Sequence, residues 1–378
     1  MLIGIDASRA NKAQKTGVEW YSFHLIQELK KLTVGDKHQW VLYSREPLRG
    51  DLAKLPENWY EVRAKWPPKY LWTRIRMSWE LWRRPPDVFF EPAHILAPFH
   101  PEHSVVTVHD VGFRRMPQFY KKRQIIIHER GTKSLVREKN VRIIVPSEFS
   151  GRELVELYHA DASRIAITPE GIDHQLYRPT GDQAAIDTVC AAYHIPRSYF
   201  LFIGRLEAKK NVLGMIKAFD AYKLRRGVGD PSVLVLAGPH GYGYEAIQKQ
   251  IAASPNAKQI LEIGYIPEEH VPLLLEGARA YLQISWYEGF GIPPLQAMAC
   301  GCPVIAANNS CMPEVLGEGN ALFVSPNDTN GISNAIEHLA IDDALHASLR
   351  ERGIQHAAGF TWSATARATL PVLEEWLG

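Results

Sequence analysis

At 378 residues, the chain is too long for one ordinary domain, so two domains are expected. The composition, 46% hydrophobic and 22% charged, is typical of a globular protein, and no apolar run approaches the roughly 18 residues of a membrane span. Four cysteines without a Cys-x-x-Cys pair or a histidine cluster argue against a disulfide framework and a structural zinc site. Because residues 1–6 already resemble a first strand, we expect no signal peptide and a cytoplasmic location.

The two halves of the chain differ in charge. Residues 1–180 hold 29 basic and 21 acidic side chains, a net +8, whereas the remaining residues hold 14 and 20, a net −6. A basic half attracts phosphate groups or an anionic membrane surface. An uneven surface composition without a functional meaning explains the same numbers about as well, so both interpretations stay open.

In the first half, short runs rich in β-branched and aromatic residues alternate with amphipathic stretches. The predicted strands are LIGID, WVLYS, DVFF, SVVTVHD and VRIIV, and the predicted helices lie near residues 18–31, 71–83, 118–138 and 147–158. This alternation predicts a parallel α/β sheet.

The second half repeats the alternation, with predicted strands at YFLFIG, SVLVLAG, ARAYLQIS and PVIAA. The predicted fold is therefore α/β, with two doubly wound, Rossmann-like domains facing each other across a cleft. Pro, Thr, Gly and charged residues interrupt the periodicity at 176–187, which predicts an N-terminal domain over residues 1–180 and a C-terminal domain over residues 188–359. A last helix within residues 360–378 is expected to return to the first domain.

Polar and glycine residues follow several of the predicted strands. Ligands of parallel α/β sheets bind beyond the carboxyl ends of the strands, so these positions predict one binding cleft. The residues are Gly17, His109, Asp110, Arg205, Lys210 and Glu288.

Arg205 and Lys210 lie between a predicted buried strand and a helix that begins near Asn211. Cations at a helix N-terminus favour a diphosphate, because backbone N–H groups and the helix dipole add to the side-chain charge. A solvated loop is the alternative for these two residues alone. Glu288, which precedes the sequence GFGI, can accept hydrogen bonds from two neighbouring hydroxyls. A carboxylate beside phosphate-binding cations predicts a nucleotide-sugar ligand.

Several separated motifs occur in an order that is known from one enzyme family. They are VPSEFSGRELVELY, GRLEAKKN, LVLAGPHGYGYE and GYIPEEHVPLLLEGARAYLQISWYEGFGIPPLQAMACGCPVIAANNSCMPEVLG. From KTGVEWYSFHLI to the closing FTWSATARATL, the chain resembles the family-4 retaining glycosyltransferases (glycosyl transferases group 1) of the GT-B fold. It is most similar to the mannosyltransferase-like branch that builds bacterial surface polysaccharides.

The resemblance implies a role for each residue of the predicted site. Arg205 and Lys210 would neutralise the donor diphosphate, and Glu288 would hold hydroxyls of the transferred sugar. Gly17 would let its loop approach the phosphates, and His109 would contact the sugar, although a lone histidine at a strand end is more often a packed or capping residue. Backbone amides would come from Gly289, Phe290, Gly291 and Ile292.

Gln296 departs from the family pattern, which has a second glutamate there that binds the ribose hydroxyls of the nucleotide. A carboxylate accepts hydrogen bonds from both hydroxyls, whereas an amide accepts one and donates another without the assistance of charge. Weaker donor binding or a slightly shifted nucleotide is therefore expected. Gln296 can serve neither as a nucleophile nor as a general base.

The resemblance, together with these residues, predicts a retaining hexosyltransferase that moves mannose from GDP-mannose to a glycan or lipid-linked acceptor. The motif supplies one carboxylate and not the pair that glycosidases use, so stabilisation of the leaving diphosphate is expected to drive the reaction. No Asp-x-Asp motif occurs, so metal-independent chemistry without a cofactor is predicted. No nucleic-acid partner is expected. A nucleotide-sugar epimerase of similar fold and a non-catalytic donor-binding scaffold stay open as alternatives.

One segment of the first half combines apolar and basic residues. Leu71, Ile75, Trp79 and Trp82 occupy one face of the predicted helix, and the basic residues around them are Lys69, Arg74, Arg76, Arg83 and Arg84. Helices that lie on anionic membranes show this pattern, and so do helices that pack against a sheet. We expect the tryptophans to pack against the sheet and the basic residues to meet an anionic acceptor, with peripheral contact at the inner face of the membrane as the alternative.

The glycine-rich sequence GPHGYGYE lacks both the P-loop lysine and the glycine spacing of a dinucleotide site. It is interpreted as a turn. Cys300 and Cys302 are expected to fill the core.

Overall fold

The computed structural model describes residues 1–66, 71–227 and 229–376. The chain divides into two compact units, the first formed by residues 1–115, 122–171 and 361–378 and the second by residues 116–121 and 172–360. The division therefore falls between Gly171 and Ile172, whereas the sequence places it at 176–187. Ile172 donates its backbone N–H to Phe360 within the second unit, at 3.1 Å.

Each unit is built on one parallel sheet. The strand order is β3-β2-β1-β4-β5-β6-β7 in the first unit and β10-β9-β8-β11-β12-β13 in the second, and every neighbouring pair is parallel. The strands are β1 (Leu2–Asp6), β2 (Gln39–Ser44), β3 (Trp59–Arg63), β4 (Val88–Glu91), β5 (Ser104–Thr107), β6 (Val141–Val145), β7 (Ile165–Ile167), β8 (Tyr199–Ile203), β9 (Val233–Ala237), β10 (Ile260–Gly264), β11 (Ala280–Gln283), β12 (Val304–Ala307) and β13 (Leu322–Val324).

Helices connect the strands, as parallel pairing requires. They are α1 (Gly17–Leu32), α2 (Ser78–Arg83), α3 (Gly112–Arg115), α4 (Lys122–Arg137), α5 (Glu148–Tyr158), α6 (Gln183–Ala192), α7 (Val212–Arg226), α8 (Tyr244–Ala253), α9 (Val271–Gly277), α10 (Ile292–Ala299), α11 (Met312–Leu316), α12 (Thr329–Ile341), α13 (Asp343–Ala357) and α14 (Trp362–Glu374). The prediction of two doubly wound, Rossmann-like α/β domains is confirmed.

The central strands form the two cores. Phe200 and Phe202 of β8 and Leu234 and Leu236 of β9 are fully buried, together with Phe219 of α7. Such strands are covered on both faces, so their sequences are nearly continuous apolar runs. This is the reason that the sequence predicts them.

Four strands were not predicted from the sequence. They are the edge strands of the two sheets, β3 and β7 in the first unit and β10 and β13 in the second. An edge strand has one neighbour and is partly exposed, so its residues alternate weakly or not at all between buried and exposed positions. In β13 all three residues are half-buried. The apolar run that identifies a central strand is therefore absent.

The predicted helix at 118–138 begins too early. Residues Pro117–Phe119 form a separate 3₁₀ turn, and α4 begins at Lys122. Residues 116–121 belong to the second unit and α4 belongs to the first. The chain therefore passes from the second unit to the first at residue 122. The hydrophobic periodicity of the sequence does not indicate this passage.

The predicted helix at 71–83 is a π-helical turn, Trp72–Met77, followed by α2. The expectation that its tryptophans pack against the sheet is wrong for Trp79 and Trp82, whose exposed fractions are 45% and 63%. Trp72, Met77 and Leu81 are buried instead, because the five-residue step of the π-helical turn places Trp72 and Met77 on one side. The residues Leu71, Ile75, Trp79 and Trp82, here called the aromatic face, are all exposed. Lys69 lies outside the described residues.

Helix α14 belongs to the first unit and packs against α1. The indole of Trp362 stacks on His24, with ring centroids 5.1 Å apart, and meets the ring of Tyr21 edge-on at 6.0 Å. Near the end of the helix, Glu375 forms an ion pair with Arg142 of β6. The C-terminal segment is therefore part of the first core.

Candidate active site

The loop between β11 and α10 contains Glu288 and ends at Gly291. Gly291 has a positive φ of 90°, and a Cβ added to it would lie 2.5 Å from the Cε of Met312. Two prolines follow in the first turn of α10, where the absence of their N–H groups has little cost. Glycine at 291 and proline at 293 and 294 therefore fix the start of this helix and the direction in which the loop enters it.

Glu288 is nearly buried, with 7% of its surface exposed, and is held by several side chains. Its Oε1 atom accepts hydrogen bonds from Lys210 Nζ at 2.6 Å and from Gln283 Nε2 at 2.7 Å. Burial alone would raise the pKa of Glu288, but the positive charges of Lys210 and Lys209 outweigh it and lower the pKa below its ordinary value. The carboxylate is therefore ionised at neutral pH and fixed in orientation.

Gln283 was missed by the sequence analysis. It is 2% exposed at the end of β11, and its Oε1 accepts a hydrogen bond from the Tyr281 hydroxyl at 3.3 Å. The single proton of this hydroxyl is shared with the carbonyl oxygen of Ile203 in β8, which is the nearer acceptor at 2.9 Å. The signal was present in the sequence, because AYLQ places two polar side chains two residues apart on a strand that is otherwise apolar.

Lys210 and Arg205 follow β8, as the sequence predicts, but their surroundings differ. Lys210 ends a 3₁₀ turn and pairs with Glu288, whereas Arg205 is exposed and has no ion pair within the described ranges. Asn211 has a left-handed conformation with φ of 54°, and its side chain accepts a hydrogen bond from Gly214 N–H at the start of α7. The structure thus joins Lys210 to Glu288 directly and leaves the guanidinium of Arg205 open to solvent.

The glycine-rich sequence 238–243 is more than a turn. A Cβ on Gly238 would lie 2.1 Å from the carbonyl oxygen of Gly204, and one on Gly241 would lie 2.7 Å from Cγ of Arg205. Gly241 also donates its backbone N–H to Leu206 at 2.9 Å. The segment therefore packs against the chain on both sides of Arg205 and supports its side-chain stem.

Gln296 lies on α10, one turn after Ile292, and is half-buried. In the described part of the chain its carboxamide has no hydrogen-bond partner. Phe290 is 5% exposed, and its ring meets Phe360 edge-on at 6.1 Å, so its side chain anchors the loop. The roles of Gly289, Phe290, Gly291, Ile292 and Gln296 toward a donor stay predictions.

Residues 116–121 add aromatic side chains to the second unit near Lys210. The rings of Phe119 and Trp286 stack at 6.3 Å, and Lys209 Nζ lies 5.5 Å from the ring centroid of Tyr120. Trp286 in turn donates its backbone N–H to the carbonyl of Lys209, at 2.9 Å. No sequence signal indicated this contact, because the two segments are more than 80 residues apart.

In the first unit, His109 is engaged at both ring nitrogens. Nδ1 lies 3.1 Å from Glu170 Oε1, and Nε2 lies 3.0 Å from the carbonyl oxygen of Pro92, to which it must donate. Burial alone would lower the pKa of His109, but the hydrogen bond and charge of Glu170 outweigh it and raise the pKa above its ordinary value. The contact of His109 with a sugar stays a prediction. A histidine that only packs inside the domain would make the same two hydrogen bonds.

Gly17 is the first residue of α1, and a Cβ added to it would meet no atom within 4 Å. Glu19 accepts hydrogen bonds from the backbone N–H and the hydroxyl of Thr16 and pairs with Arg9 at 3.2 Å and with Lys12 at 2.5 Å. Burial raises the pKa of Glu19, but these hydrogen bonds and charges outweigh it and lower the pKa to about 2. The N-terminus of α1 is therefore closed by an internal carboxylate, beside which Gly17 leaves open space.

The described residues contain neither a metal-binding cluster nor a helix suited to span a membrane. Among residues 1–66, 71–227 and 229–376, no group of three or more His, Cys, Asp or Glu side chains is arranged to hold a metal ion. Within the same ranges, no helix has both the length and the apolar character of a membrane span. The predicted metal independence stays a prediction.

Two family profiles match the chain, one in each half. The profile described as Glycosyltransferase Family 4 matches residues 15–176, and the one described as Glycosyl transferases group 1 matches residues 195–356. Together they include nearly the whole chain and every residue of the predicted site.

Among curated proteins, the chain is similar to O-antigen chain mannosyltransferase B of Escherichia coli, with 28% identity over 295 residues, or 78% of this chain and 76% of that protein. It is 24% identical over 234 residues, 62% of its length, to the serotype-specific mannosyltransferase WbdA of Escherichia coli, of which it spans 28%. Among solved structures, Anabaena HepE in complex with UDP-glucose superposes with a TM-score of 0.74 at 15% identity over 99% of both chains. The chain belongs to the glycosyltransferases of group 1 and family 4, and its fold is GT-B.

Proposed function

We propose that the chain transfers a hexose with retention of configuration, with mannose from GDP-mannose as the first candidate, to a glycan or lipid-linked acceptor of surface polysaccharide synthesis. The observation that carries the proposal is the buried ion pair of Lys210 and Glu288, 2.6 Å apart, beside the glycine-rich start of α10. The names of the E. coli mannosyltransferases support the choice of sugar. The UDP-glucose bound to HepE supports a nucleotide-sugar as the donor.

The chemistry follows from the charges of the site. In the proposed reaction the bond between the anomeric carbon and the donor phosphate breaks, and negative charge develops on the leaving diphosphate. Arg205 and Lys210 would stabilise this charge, while the ionised Glu288 would accept hydrogen bonds from sugar hydroxyls. The acceptor oxygen would attack from the same face and give its proton to a phosphate oxygen, which accounts for retention with one carboxylate.

Gln296 is proposed to contact the ribose of the donor. Its carboxamide has no partner in the described residues, so both its oxygen and its nitrogen are available for the ribose hydroxyls. Without a negative charge this contact would be weaker than that of the glutamate in the family pattern.

The test is a panel of nucleotide-sugars in a thermal-shift assay, because a ligand above its dissociation constant raises the apparent stability. GDP-mannose should give the largest shift, and incubation with a mannosylated acceptor should then yield an extended glycan and free GDP. Conversion of the nucleotide-sugar without an acceptor would support the epimerase alternative. Binding without any turnover would support a scaffold.

We also propose that the aromatic face contacts an anionic bilayer. The exposed fractions of its four residues lie between 45% and 63%, and Arg76 and Arg83 lie over the Trp79 ring at 4.9 and 5.3 Å. Exposed aromatic side chains beside arginines match the interface of a bilayer that carries negative headgroups.

Co-sedimentation with vesicles tests this contact. The protein should pellet with anionic vesicles and less with neutral ones, and binding should weaken as salt rises. Charge reversal at Arg83 and Arg84 should reduce binding at an unchanged melting temperature. A protein that stays in the supernatant with anionic vesicles at low salt would refute the contact.

A further inference from the structure

The loop that contains Glu288 lies against the loop that follows β12. Three consecutive residues of that second loop, Asn309, Ser310 and Cys311, lie between β12 and α11 and are here called the supporting segment. None of them is among the site residues predicted from the sequence. Each of the three has a hydrogen bond to the backbone of residues 286–290. The backbone of the Glu288 loop is therefore held by three adjacent side chains.

Asn309 and Ser310 form a chain of hydrogen bonds along the start of the loop. Asn309 donates from Nδ2 to the carbonyl oxygen of Trp286 at 3.1 Å, and its Oδ1 accepts from the Ser310 hydroxyl at 3.2 Å. The oxygen of the same hydroxyl accepts the backbone N–H of Glu288 at 3.3 Å. The chain therefore fixes the two peptide groups that flank Tyr287.

The backbone of Ser310 is itself unusual. Its φ of 50° lies in the left-handed region, which residues other than glycine seldom adopt. A conformation of this kind persists where the surrounding contacts hold it, and it is often found at functional sites. Here it places the Ser310 hydroxyl between Asn309 and the N–H group of Glu288. The hydroxyl gives a reason for a side chain at a position whose backbone would favour glycine.

The thiol of Cys311 lies against two carbonyl groups of the loop. Its Sγ atom is 3.3 Å from the carbonyl oxygen of Glu288 and 3.2 Å from that of Phe290, and the side chain is fully buried. A thiol has one proton, so the two carbonyl oxygens share it. Both oxygens therefore lie on the side of the loop that faces Cys311.

The planarity of the peptide group converts this contact into a direction for two N–H groups. The peptide bonds of the loop are trans, so the C=O bond of one residue and the N–H bond of the next point in opposite directions. Because the carbonyl oxygens of Glu288 and Phe290 face Cys311, the N–H groups of Gly289 and Gly291 face away from it. Both N–H groups lie in the turn that precedes α10, and N–H groups of such turns form concave sites for anions.

We propose that the supporting segment positions the N–H groups of Gly289 and Gly291 to donate hydrogen bonds to the leaving diphosphate of the donor. This assignment rests on the proposed glycosyl transfer, and it adds two oriented donors to the charges of Arg205 and Lys210. Cys311 lies on the opposite side of the loop from these N–H groups and acts through the peptide groups, so it is a positioning residue. Donors that are oriented before the reaction contribute most at the transition state, when the charge on the diphosphate is greatest.

Two substitutions of nearly equal size test the role of the thiol. Cys311→Ala removes the donor to the two carbonyl groups, and kcat should fall about tenfold, because the N–H groups are no longer held in one direction. Cys311→Ser keeps a donor, so kcat should recover toward the wild-type value. The KM for the nucleotide-sugar should change less than kcat, as is expected for donors that act in the transition state. A higher KM at an unchanged kcat would overturn this role.

Cys302→Ala is the matched control. The Cys302 side chain is 1% exposed, and its Sγ lies 3.7 Å from the carbonyl oxygen of Ala278 and 3.6 Å from that of Pro303. Cys302 precedes β12 and Cys311 follows it, so the two thiols lie at opposite ends of this strand. Both alanine variants should lower the melting temperature to a similar extent, whereas Cys311→Ala alone should lower kcat. Equal losses of kcat would make Cys311 a residue of the core and overturn the proposal.

Ser310→Ala and Ser310→Gly separate the hydroxyl from the backbone conformation. Both remove the hydrogen bonds to Asn309 and Glu288, but glycine adopts a positive φ without strain. The melting temperature should therefore be higher in Ser310→Gly than in Ser310→Ala, whereas kcat should be lowered to the same extent in both. A wild-type kcat in Ser310→Gly would overturn the role of the hydroxyl.

A crystal structure of Cys311→Ala gives a readout that does not depend on activity. The carbonyl oxygens of Glu288 and Phe290 should turn away from position 311, and unchanged positions of both oxygens would overturn the proposal. If the wild type and Cys311→Ala extend the acceptor at the same rate, the proposal fails and glycosyl transfer stands. If the wild type turns over no nucleotide-sugar, the proposed function fails, and the role of the two N–H groups in the transition state fails with it.

Discussion

The site at Glu288 and a cavity of the first unit both lie at the carboxyl ends of parallel strands, yet their charges are arranged in opposite ways. This cavity is here called the basic cavity, because Arg74, Arg123 and Arg130 line it. In the second unit Lys210 and Glu288 neutralise each other in a largely buried pair, and Gln283 fixes the carboxylate. In the first unit Arg74, Arg123 and Arg130 are exposed and have no ion pair within the described ranges, while burial raises the pKa of the carboxyl groups of Asp6 and Glu91.

The two sites differ in how they would bind a charged ligand. A carboxylate that is already oriented and desolvated loses little freedom when a sugar arrives, so its contribution can be large at the transition state. Exposed arginines must be ordered by the ligand, and their attraction is screened by salt. Substitutions at Glu288 and Lys210 should therefore affect turnover most.

The largest effect is expected at Glu288. Glu288→Gln removes the negative charge that holds Lys210 and should lower kcat about 10³-fold, as the loss of an oriented group at the reacting centre does. Gln296→Ala should lower kcat less than about tenfold, because the ribose is remote from the reacting bond. Both kcat values are measured by steady-state kinetics with the nucleotide-sugar that gives the largest thermal shift. Equal losses of kcat in the two variants would contradict the roles assigned here to Glu288 and Gln296.

Arg205→Ala and Lys210→Ala should each lower the rate about 10²–10³-fold, and stability distinguishes them. Lys210→Ala leaves the carboxylate of Glu288 buried without its partner and should lower the free energy of unfolding by about 3 kcal/mol. Arg205→Ala should not lower it, since the side chain is exposed. Denaturant unfolding measures the free energy of unfolding of both variants. Lys217→Ala, which changes an exposed lysine on α7, is the control.

A smaller effect is expected at Gly241. In Gly241→Ala the new methyl group would lie 2.6 Å from Cβ of Glu207 and 2.7 Å from Cγ of Arg205, so the stem of Arg205 must move. We expect kcat/KM to fall about tenfold, because a displaced cation no longer meets the leaving group. Gly229→Ala, where the methyl group would meet no atom within 4 Å, is the matched control. Normal kinetics in Gly241→Ala would remove the glycine-rich segment from the site.

The smallest effect concerns pH and the ion pair of His109 with Glu170. The pKa of His109 is raised in the folded state, so its stabilising contribution is complete below the ordinary histidine pKa and is lost as pH rises through the folded value. The wild type should therefore lose stability relative to Glu170→Gln as pH rises from about 6 to 9. Urea unfolding at several pH values measures the difference. A gap between the two proteins that stays constant or widens with pH would contradict the assignment.

The sequence was sufficient for the parts of the fold in which local pattern and environment agree. Strands β8 and β9 are continuous apolar runs, β1 and β6 each contain one charged residue in an otherwise apolar run, and Lys210 and Glu288 follow strands in motifs that identify the family. The four edge strands were missed because one-sided pairing leaves little apolar signal. The helix near 71–83 was predicted, but its buried face was not, since the sequence does not show where a π-helical turn changes the spacing.

The sequence by itself determined the two α/β units, the family and the residue types of the donor site. Only the tertiary structure joined Lys210 to Glu288 across 78 positions and placed Gln283 behind them. It also gathered Arg74, Arg123 and Arg130 around one cavity. The physical reason is that a strand or helix is encoded by neighbours along the chain, whereas the charge, burial and pKa of a side chain depend on groups that only packing brings within a few ångströms.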